Sequence, residues 1–94
     1  MSYIRRWGLP RKTAERIHEL LREGRFCYSV HCAAKLVTRV VTDEDIRSVG
    51  RTAHTTRLQD GGSWKVTGRD ECDLEMTVVC RALETRDLLL ITVY

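Results

Sequence analysis

The sequence lacks a long apolar run, and this absence argues against a membrane-spanning segment. Its most apolar stretch, "LLLITVY", is far shorter than the ~18 residues that a transmembrane helix needs. The opening "MSYIRRWGLPRK" is basic, but it has no apolar run of the ~7–15 residues that a secretion signal contains. We therefore expect a soluble protein that stays in the cytoplasm.

Close cysteine pairs of the kind that bind zinc are also lacking. Cys72 and Cys80 lie in "CDLEMTVVCRA", whose alternation predicts a half-buried strand, so they would sit roughly 26 Å apart. Cys27 and Cys32 belong to no CxxC pair. We expect no metal, no cofactor, and reduced cysteines that act as small buried apolar residues. Cys32 is expected to differ from the other cysteines, because a helix capped by Ser29 would lower the pKa of its thiol.

The positive charge is concentrated in the first half of the chain. The net charge is +3, from 16 basic and 13 acidic residues. Residues 1–41 hold nine Lys and Arg against three Glu, whereas residues 42–94 hold seven basic against ten acidic residues. Most of the basic residues are Arg, which matches phosphate oxygens and stacks on bases, so a polyanion is a candidate partner. The alternative is that these basic residues form an ordinary solvated helical surface.

The first half of the chain predicts three helices. "PRKTAERIHELLRE" has an apolar stripe and ends before Gly24, and "RFCYSV" predicts a short strand or extended connection. A second helix, about His31 to Val40, segregates its side chains. Its packing side is expected to hold Cys32, Ala33, Leu36, Val37 and Val40, and its free side His31, Lys35, Thr38 and Arg39. Thr42 is expected to cap a third helix that ends at Gly50.

The second half changes to the two-residue period of strands. "RTAHTTRL", "SWKVTGR", "CDLEMTVVCRAL" and "DLLLITVY" predict four strands joined by short turns, hence an antiparallel meander. The third strand is expected to turn Leu74, Met76, Val78, Cys80 and Ala82 inward. Residues 1–94 then form a single α+β domain, in which two to three N-terminal helices pack on one face of a four- to five-stranded antiparallel sheet. The open sheet face is expected to carry Arg57, Lys65, Arg69 and Arg81.

This arrangement resembles a family of small bacterial domains of unknown function that are similar to the RelE and MqsR toxins of toxin–antitoxin systems. The resemblance rests on "ERIHELLREGRF", on His31 followed by Lys35 and Arg39 at four-residue steps, on "TDEDI" and on the closing "LLLITVY". It implies a RelE-like fold and a cytoplasmic type II toxin that cleaves mRNA without a metal. It also implies two partners, RNA and a cognate antitoxin, and no membrane.

Metal-free RNA cleavage requires a base, an acid and cations around the reacting phosphate. The candidate catalytic residues are Lys65, Arg69, Arg81, His31 and His54. The candidate RNA-binding residues are Lys35, Arg39, Arg57 and Tyr94. The chain departs from the Lys, Gln and Tyr set of MqsR-like toxins, since Lys65 falls near the Gln position and Leu74 near the Tyr position.

Each candidate also has a structural interpretation. His31 could orient or cap its helix, Lys35 and Arg39 could be ordinary surface cations, and His54 could be a semi-buried strand residue. His18 is expected at the boundary of the first helix's apolar stripe, and Trp64 in the packed interior.

The alternatives to a ribonuclease are a non-catalytic RNA-binding or protein-interaction domain and a redox- or metal-responsive module built on Cys27, Cys32 and His31.

Overall fold

The α+β class is confirmed by a computed structural model, which describes residues 10–94. Within residues 10–94, three helices and five strands follow one another as α1 (Pro10–Glu23), β1 (Phe26–Tyr28), α2 (Val30–Arg39), α3 (Asp43–Thr52), β2 (Thr55–Leu58), β3 (Trp64–Arg69), β4 (Glu75–Ala82) and β5 (Leu88–Val93). None of the helices in this described range is long and apolar enough to cross a bilayer.

The five strands form one sheet in the order β1-β5-β4-β3-β2. Strands β2 to β5 form the predicted antiparallel meander, whereas β1 pairs with β5 in parallel and makes the sheet mixed. Strand β5 therefore lies between two neighbours, which explains why its sequence is apolar on both sides.

Helix α1 buries the stripe that its sequence predicts. Ile17, Leu20 and Leu21 are fully buried, and the helix ends before Gly24, whose φ of 75° suits glycine. Trp64 of β3 is 2% exposed and packs in the same core, as predicted. Helices α1 and α3 pack on each other, and α3 packs on β3 and β4, so these two helices cover one face of the sheet.

Gly50 does not end the third helix, contrary to the prediction, because α3 continues to Thr52. A Cβ atom at Gly50 would lie 2.7 Å from both the Arg22 backbone nitrogen and the Leu21 Cβ atom. The missing side chain therefore lets α1 and α3 approach closely. As a result β2 starts at Thr55 rather than near residue 51.

The predicted caps of α2 and α3 are present. The Ser29 hydroxyl accepts a hydrogen bond from the Cys32 amide at 3.0 Å. Thr42 and Asp45 form a reciprocal capping box, and Asp45 also accepts from the Glu71 amide. Partial desolvation alone would raise the pKa of Asp45, but these hydrogen bonds outweigh it and lower the pKa below its usual value.

Helix α2 lies beside the edge of the sheet. Strand β1 pairs with the segment from Leu88 to Leu90, and α2 then runs beside the rest of β5. The Ser29 amide donates to the Leu90 carbonyl at 2.9 Å, and its hydroxyl donates to the Ile91 carbonyl at 3.0 Å. Because α2 meets a strand edge rather than a sheet face, only a narrow side of the helix can be buried.

The expected packing side of α2 is accordingly only partly correct. Cys32 is buried and Leu36 is partly buried against the core. Ala33, Val37 and Val40 were expected on the same side, but they are exposed. The helix therefore has a second apolar side that faces away from the domain.

Leu74 is the one residue of the third predicted strand that was wrongly expected to be inward. It is exposed, while Met76, Val78 and Cys80 are buried as predicted. The Asp70 side chain accepts hydrogen bonds from the Cys72 and Leu74 amides and holds a turn, so β4 begins after Leu74, at Glu75.

Candidate nucleic-acid interface

The sheet face turned away from α1 and α3 is called the outer face here. The contact between His18 and Thr56 places Thr56 on the α1 side, so its neighbours Thr55 and Arg57 lie on the outer face. Strand register then sets two rows across the face. One row is Thr55, Thr67, Thr77 and Tyr94, and the other is Arg57, Lys65, Val79 and Thr92.

Two lysines meet at the Tyr94 ring. The Lys65 ammonium lies 5.2 Å from the ring centroid, and the Lys35 ammonium of α2 lies 5.7 Å from it. Tyr94 as a whole residue is 44% exposed. Cation–π attraction accounts for these contacts, and it also concentrates positive charge around one accessible aromatic surface.

Arg57 adds a third cation beside this pair. It lies directly opposite Lys65 across the β2–β3 ladder, and it has no hydrogen-bond or ion-pair partner among residues 10–94. Like charges in such a cross-strand position destabilise a sheet. Together with Thr55 and Thr67 the two cations line a shallow depression, which is therefore suited to an anionic group.

Threonine hydroxyls form the floor between the cations and Tyr94. The Thr67 and Thr77 hydroxyl oxygens lie 2.9 Å apart and share a hydrogen bond. The Thr92 hydroxyl is buried and has no hydrogen-bond partner within the part of the chain that the structure describes. The outer face therefore combines cations, one aromatic ring and neutral hydroxyl groups.

Arg69 and Arg81 lie on the same face but do not converge with Lys65. Arg69 is four residues along β3 from Lys65, roughly 13 Å away, and it contacts Asp73, with Nε 3.7 Å from the carboxylate and Nη1 donating to the carbonyl at 3.0 Å. Arg81 lies on the other side of Lys65 and donates to the Gly61 carbonyl at 3.0 Å. One phosphate group could not reach all three predicted catalytic cations at once.

Of the two candidate catalytic histidines, His54 lies on the outer face. Its Nε2 is 3.8 Å from the Glu75 carboxylate, and its Nδ1 is 3.0 Å from the Thr55 hydroxyl. It is exposed rather than semi-buried, because the longer α3 leaves it in the connection before β2. His31 is exposed in the first turn of α2, at the far end of that helix from Arg39.

Lys35 and Arg39 share a side of α2, as the four-residue spacing predicts. Lys35 contacts the Tyr94 ring, and Arg39 borders a depression that Tyr94, Asp70 and Glu75 also line. The polar side of α2 therefore extends the outer face beyond the sheet. Sequence spacing placed these cations together on the helix, but nothing in the sequence placed them beside Lys65.

His18 lies away from this interface, between α1 and β2. Its Nε2 is 2.6 Å from the Thr56 hydroxyl. Burial lowers its pKa below the usual value, the nearby Arg22 lowers it further, and Glu15 opposes both effects. This placement agrees with a boundary residue of the α1 stripe.

The cysteines differ from expectation in two respects. Burial raises the pKa of the Cys32 thiol despite the lowering effect of Lys35, so the predicted acidic thiol is not found. Cys27 and Cys72 are exposed, whereas Cys80 is buried with a pKa raised to about 12. Among residues 10–94 no group of three or more His, Cys, Asp or Glu side chains is placed to hold a metal ion.

Comparison of the chain with family models, curated proteins and solved structures gives no match. The resemblance to RelE and MqsR toxins therefore stays a prediction.

Proposed function

We propose that this domain binds single-stranded RNA on its outer face. The observation that supports the proposal is the Tyr94 ring, half-exposed between the Lys35 and Lys65 ammonium groups, with Arg57 beside Lys65. An RNA strand offers a base to stack on the ring and phosphates to pair with the cations.

Single-stranded RNA fits this surface better than a duplex does. Bases in a duplex are stacked on one another, so their flat faces are hidden from a protein ring, whereas an unpaired base can stack on it. Thr55 and Thr67, which line the depression beside Arg57 and Lys65, offer hydroxyl groups that can hydrogen-bond to a ribose 2′-hydroxyl, which DNA lacks. The proposal therefore favours RNA over DNA of the same sequence.

The test is fluorescence anisotropy of a labelled single-stranded RNA against increasing protein, repeated at several salt concentrations. With Lys35, Arg57 and Lys65 on phosphates, the logarithm of affinity should fall with the logarithm of salt at a slope of about −2. Lys65→Ala should weaken binding and make the slope shallower by about 0.7. The matched control is Lys12→Ala, an exposed lysine of α1 on the other side of the sheet. Equal losses in the two variants would contradict the proposal.

A metal-independent ribonuclease of a toxin–antitoxin system is the second candidate, and the placement of His54 favours it. His54 lies on the proposed RNA face next to the Glu75 carboxylate, which could orient the imidazole. As a base it would take the proton of a ribose 2′-hydroxyl while that oxygen attacks the adjacent phosphorus. The 5′-oxygen would leave with a proton from a second acid or water, giving a 2′,3′-cyclic phosphate. The antitoxin that the resemblance implies would then neutralise this activity.

Cleavage assays on the same RNA separate the two candidates. A ribonuclease should cut in EDTA and leave 2′,3′-cyclic phosphate ends, and His54→Gln should slow cutting about 10²–10³-fold while RNA still binds. His18→Gln is the control, since His18 lies on the opposite face. Tight binding without cleavage would support the non-catalytic RNA-binding function over the ribonuclease. Loss of cleavage in EDTA would contradict a metal-independent mechanism.

A further inference from the structure

A second depression lies at the end of the sheet where β4 begins and β5 ends. Its volume is about 240 Å³, below the roughly 300–1,000 Å³ of sites for drug-sized ligands, so it suits a single small ring system. Tyr94 lines this depression and also belongs to the outer face, so the two surfaces are continuous. It is called the Arg39 depression here, and its lining includes Arg39, Asp70, Leu74, Glu75, Met76 and Tyr94.

The Arg39 depression holds opposite charges that are not paired with one another. Arg39 has no hydrogen-bond or ion-pair partner among residues 10–94, although the Asp70 and Glu75 carboxylates line the same depression. A guanidinium carries only hydrogen-bond donors, and a carboxylate carries only acceptors. A ligand that bridges them must therefore offer acceptors on one edge and donors on the next.

The two carboxylates differ in what they can still accept. Asp70 Oδ1 already accepts hydrogen bonds from two backbone amides, at 2.8 and 2.9 Å. The Glu75 carboxylate accepts no hydrogen bond within the described part of the chain, and its contact with His54 Nε2 is 3.8 Å long. Both oxygens of Glu75 are therefore free to accept from a ligand.

The rest of the lining is apolar and aromatic. Leu74 is 64% exposed at the depression, and Tyr94 is 44% exposed. Met76, which packs in the core, also contributes to the lining. Apolar and aromatic walls beside charged groups suit a flat heterocycle, because its faces stack and its edges form hydrogen bonds.

Among the four RNA bases, guanine matches these groups best. Its O6 and N7 atoms are adjacent acceptors, which an arginine contacts through two N–H groups. Its N1–H and N2–H₂ groups are adjacent donors, which one carboxylate can accept with its two oxygens. None of the other three bases presents both of these pairs.

We infer that the Arg39 depression binds a guanine base of the RNA strand and gives the domain a preference for RNA that contains guanine. Arg39 donates to O6 and N7, Glu75 accepts from N1–H and N2–H₂, and the face of the base packs against Tyr94. The inference rests on the proposed RNA binding, because Lys35 and Lys65 beside Tyr94 would contact the phosphates of the same strand.

The test compares four labelled RNAs of about eight nucleotides, a length within the range that single-strand-binding domains cover. Each RNA is uridine throughout except at one central position, which is G, A, C or U. Fluorescence anisotropy should show that the RNA with G binds about 5- to 150-fold more tightly than the all-uridine RNA, as one good bidentate contact provides. Equal binding of all four would overturn this inference and leave the proposed RNA binding intact. Binding of none would overturn both.

Inosine at the central position isolates the contact with Glu75. Inosine differs from guanosine only by the missing 2-amino group, so it keeps O6 and N7 for Arg39 and loses one donor. Its RNA should bind more weakly than the RNA with G and more tightly than the all-uridine RNA. Binding as tight as that of the RNA with G would overturn the role of Glu75.

Variants of the protein locate the guanine. Glu75→Gln keeps the side-chain size but places a donor where the base needs an acceptor, so it should abolish the preference for G. Its affinity for the all-uridine RNA should stay within about twofold of wild type. The matched control is Glu71→Gln, since Glu71 is an exposed glutamate outside the depression. A preference retained in Glu75→Gln, or lost equally in Glu71→Gln, would overturn the inference.

Arg39→Lys separates base recognition from phosphate binding. Lysine keeps the positive charge but lacks the planar pair of donors that fits O6 and N7. The preference for G should therefore fall, while the salt slope for the all-uridine RNA stays unchanged. An unchanged preference for G in Arg39→Lys would overturn the inference, because Arg39 would then act only as a charge.

Discussion

Replacing Tyr94 by leucine tests whether an RNA base stacks on the aromatic ring of Tyr94 on the outer face. Leucine keeps an apolar side chain of moderate size, and the main-chain pairing of residue 94 with Thr77 does not involve the ring. The substitution removes the π surface that Lys35 and Lys65 approach at 5.7 and 5.2 Å. Stacking of one base on an aromatic side chain contributes about 1–3 kcal/mol, so affinity for single-stranded RNA should fall about 5- to 150-fold.

The assay is the anisotropy titration, with Tyr94→Phe as the matched control. Phenylalanine retains the ring, so its affinity should stay within about twofold of wild type. The salt slope should be unchanged in Tyr94→Leu, because no phosphate contact is lost. Wild-type affinity in the leucine variant would refute the stacking argument, and an equal loss in the phenylalanine variant would assign the effect to the hydroxyl.

Three further predictions concern the fold. Gly50→Ala should lower the free energy of unfolding by about 1–3 kcal/mol in urea denaturation, because its Cβ would meet the backbone of α1 at 2.7 Å; unchanged stability would refute the close contact. Burial lowers the pKa of His18, so the unfolded chain binds its proton more readily and stability should fall as pH drops below about 6.5; His18→Gln should show a smaller fall, and an identical pH profile would contradict this. Iodoacetamide should label the exposed Cys27 and Cys72 in the native protein and spare the buried Cys80, as peptide mass spectrometry would show; rapid labelling of Cys80 would contradict its burial.

Local signals in the sequence were sufficient for most of the secondary structure. The α1 stripe, Gly24, the Thr42 capping box and the alternation of β3 each act within a few residues, and the structure confirms them. The end of α3 was predicted wrongly at Gly50, because a glycine that ends a helix and a glycine that allows a neighbouring helix to pack closely look the same in the sequence. Only the position of α1 separates the two roles.

The candidate interface could not be predicted in full from the sequence, because it depends on contacts between residues that are distant in the sequence. Alternation placed Arg57 and Lys65 on one face, but their direct pairing follows from the β2–β3 register, which the sequence does not specify. The approach of Lys35 to Tyr94 requires α2 to lie beside β5, which in turn requires the parallel pairing of β1. The exposed valines of α2 were missed for the same reason, since an apolar helix side was assumed to face the core.

The most direct test of RNA binding by the outer face is a titration of ¹⁵N-labelled protein with single-stranded RNA, followed by amide chemical shifts. The largest changes are expected at Lys65, Thr67, Thr77 and Tyr94, and in α2 at Lys35, while α1 and α3 stay nearly unchanged. Shifts concentrated on α1 and α3, or no shifts at saturating RNA, would contradict the proposal.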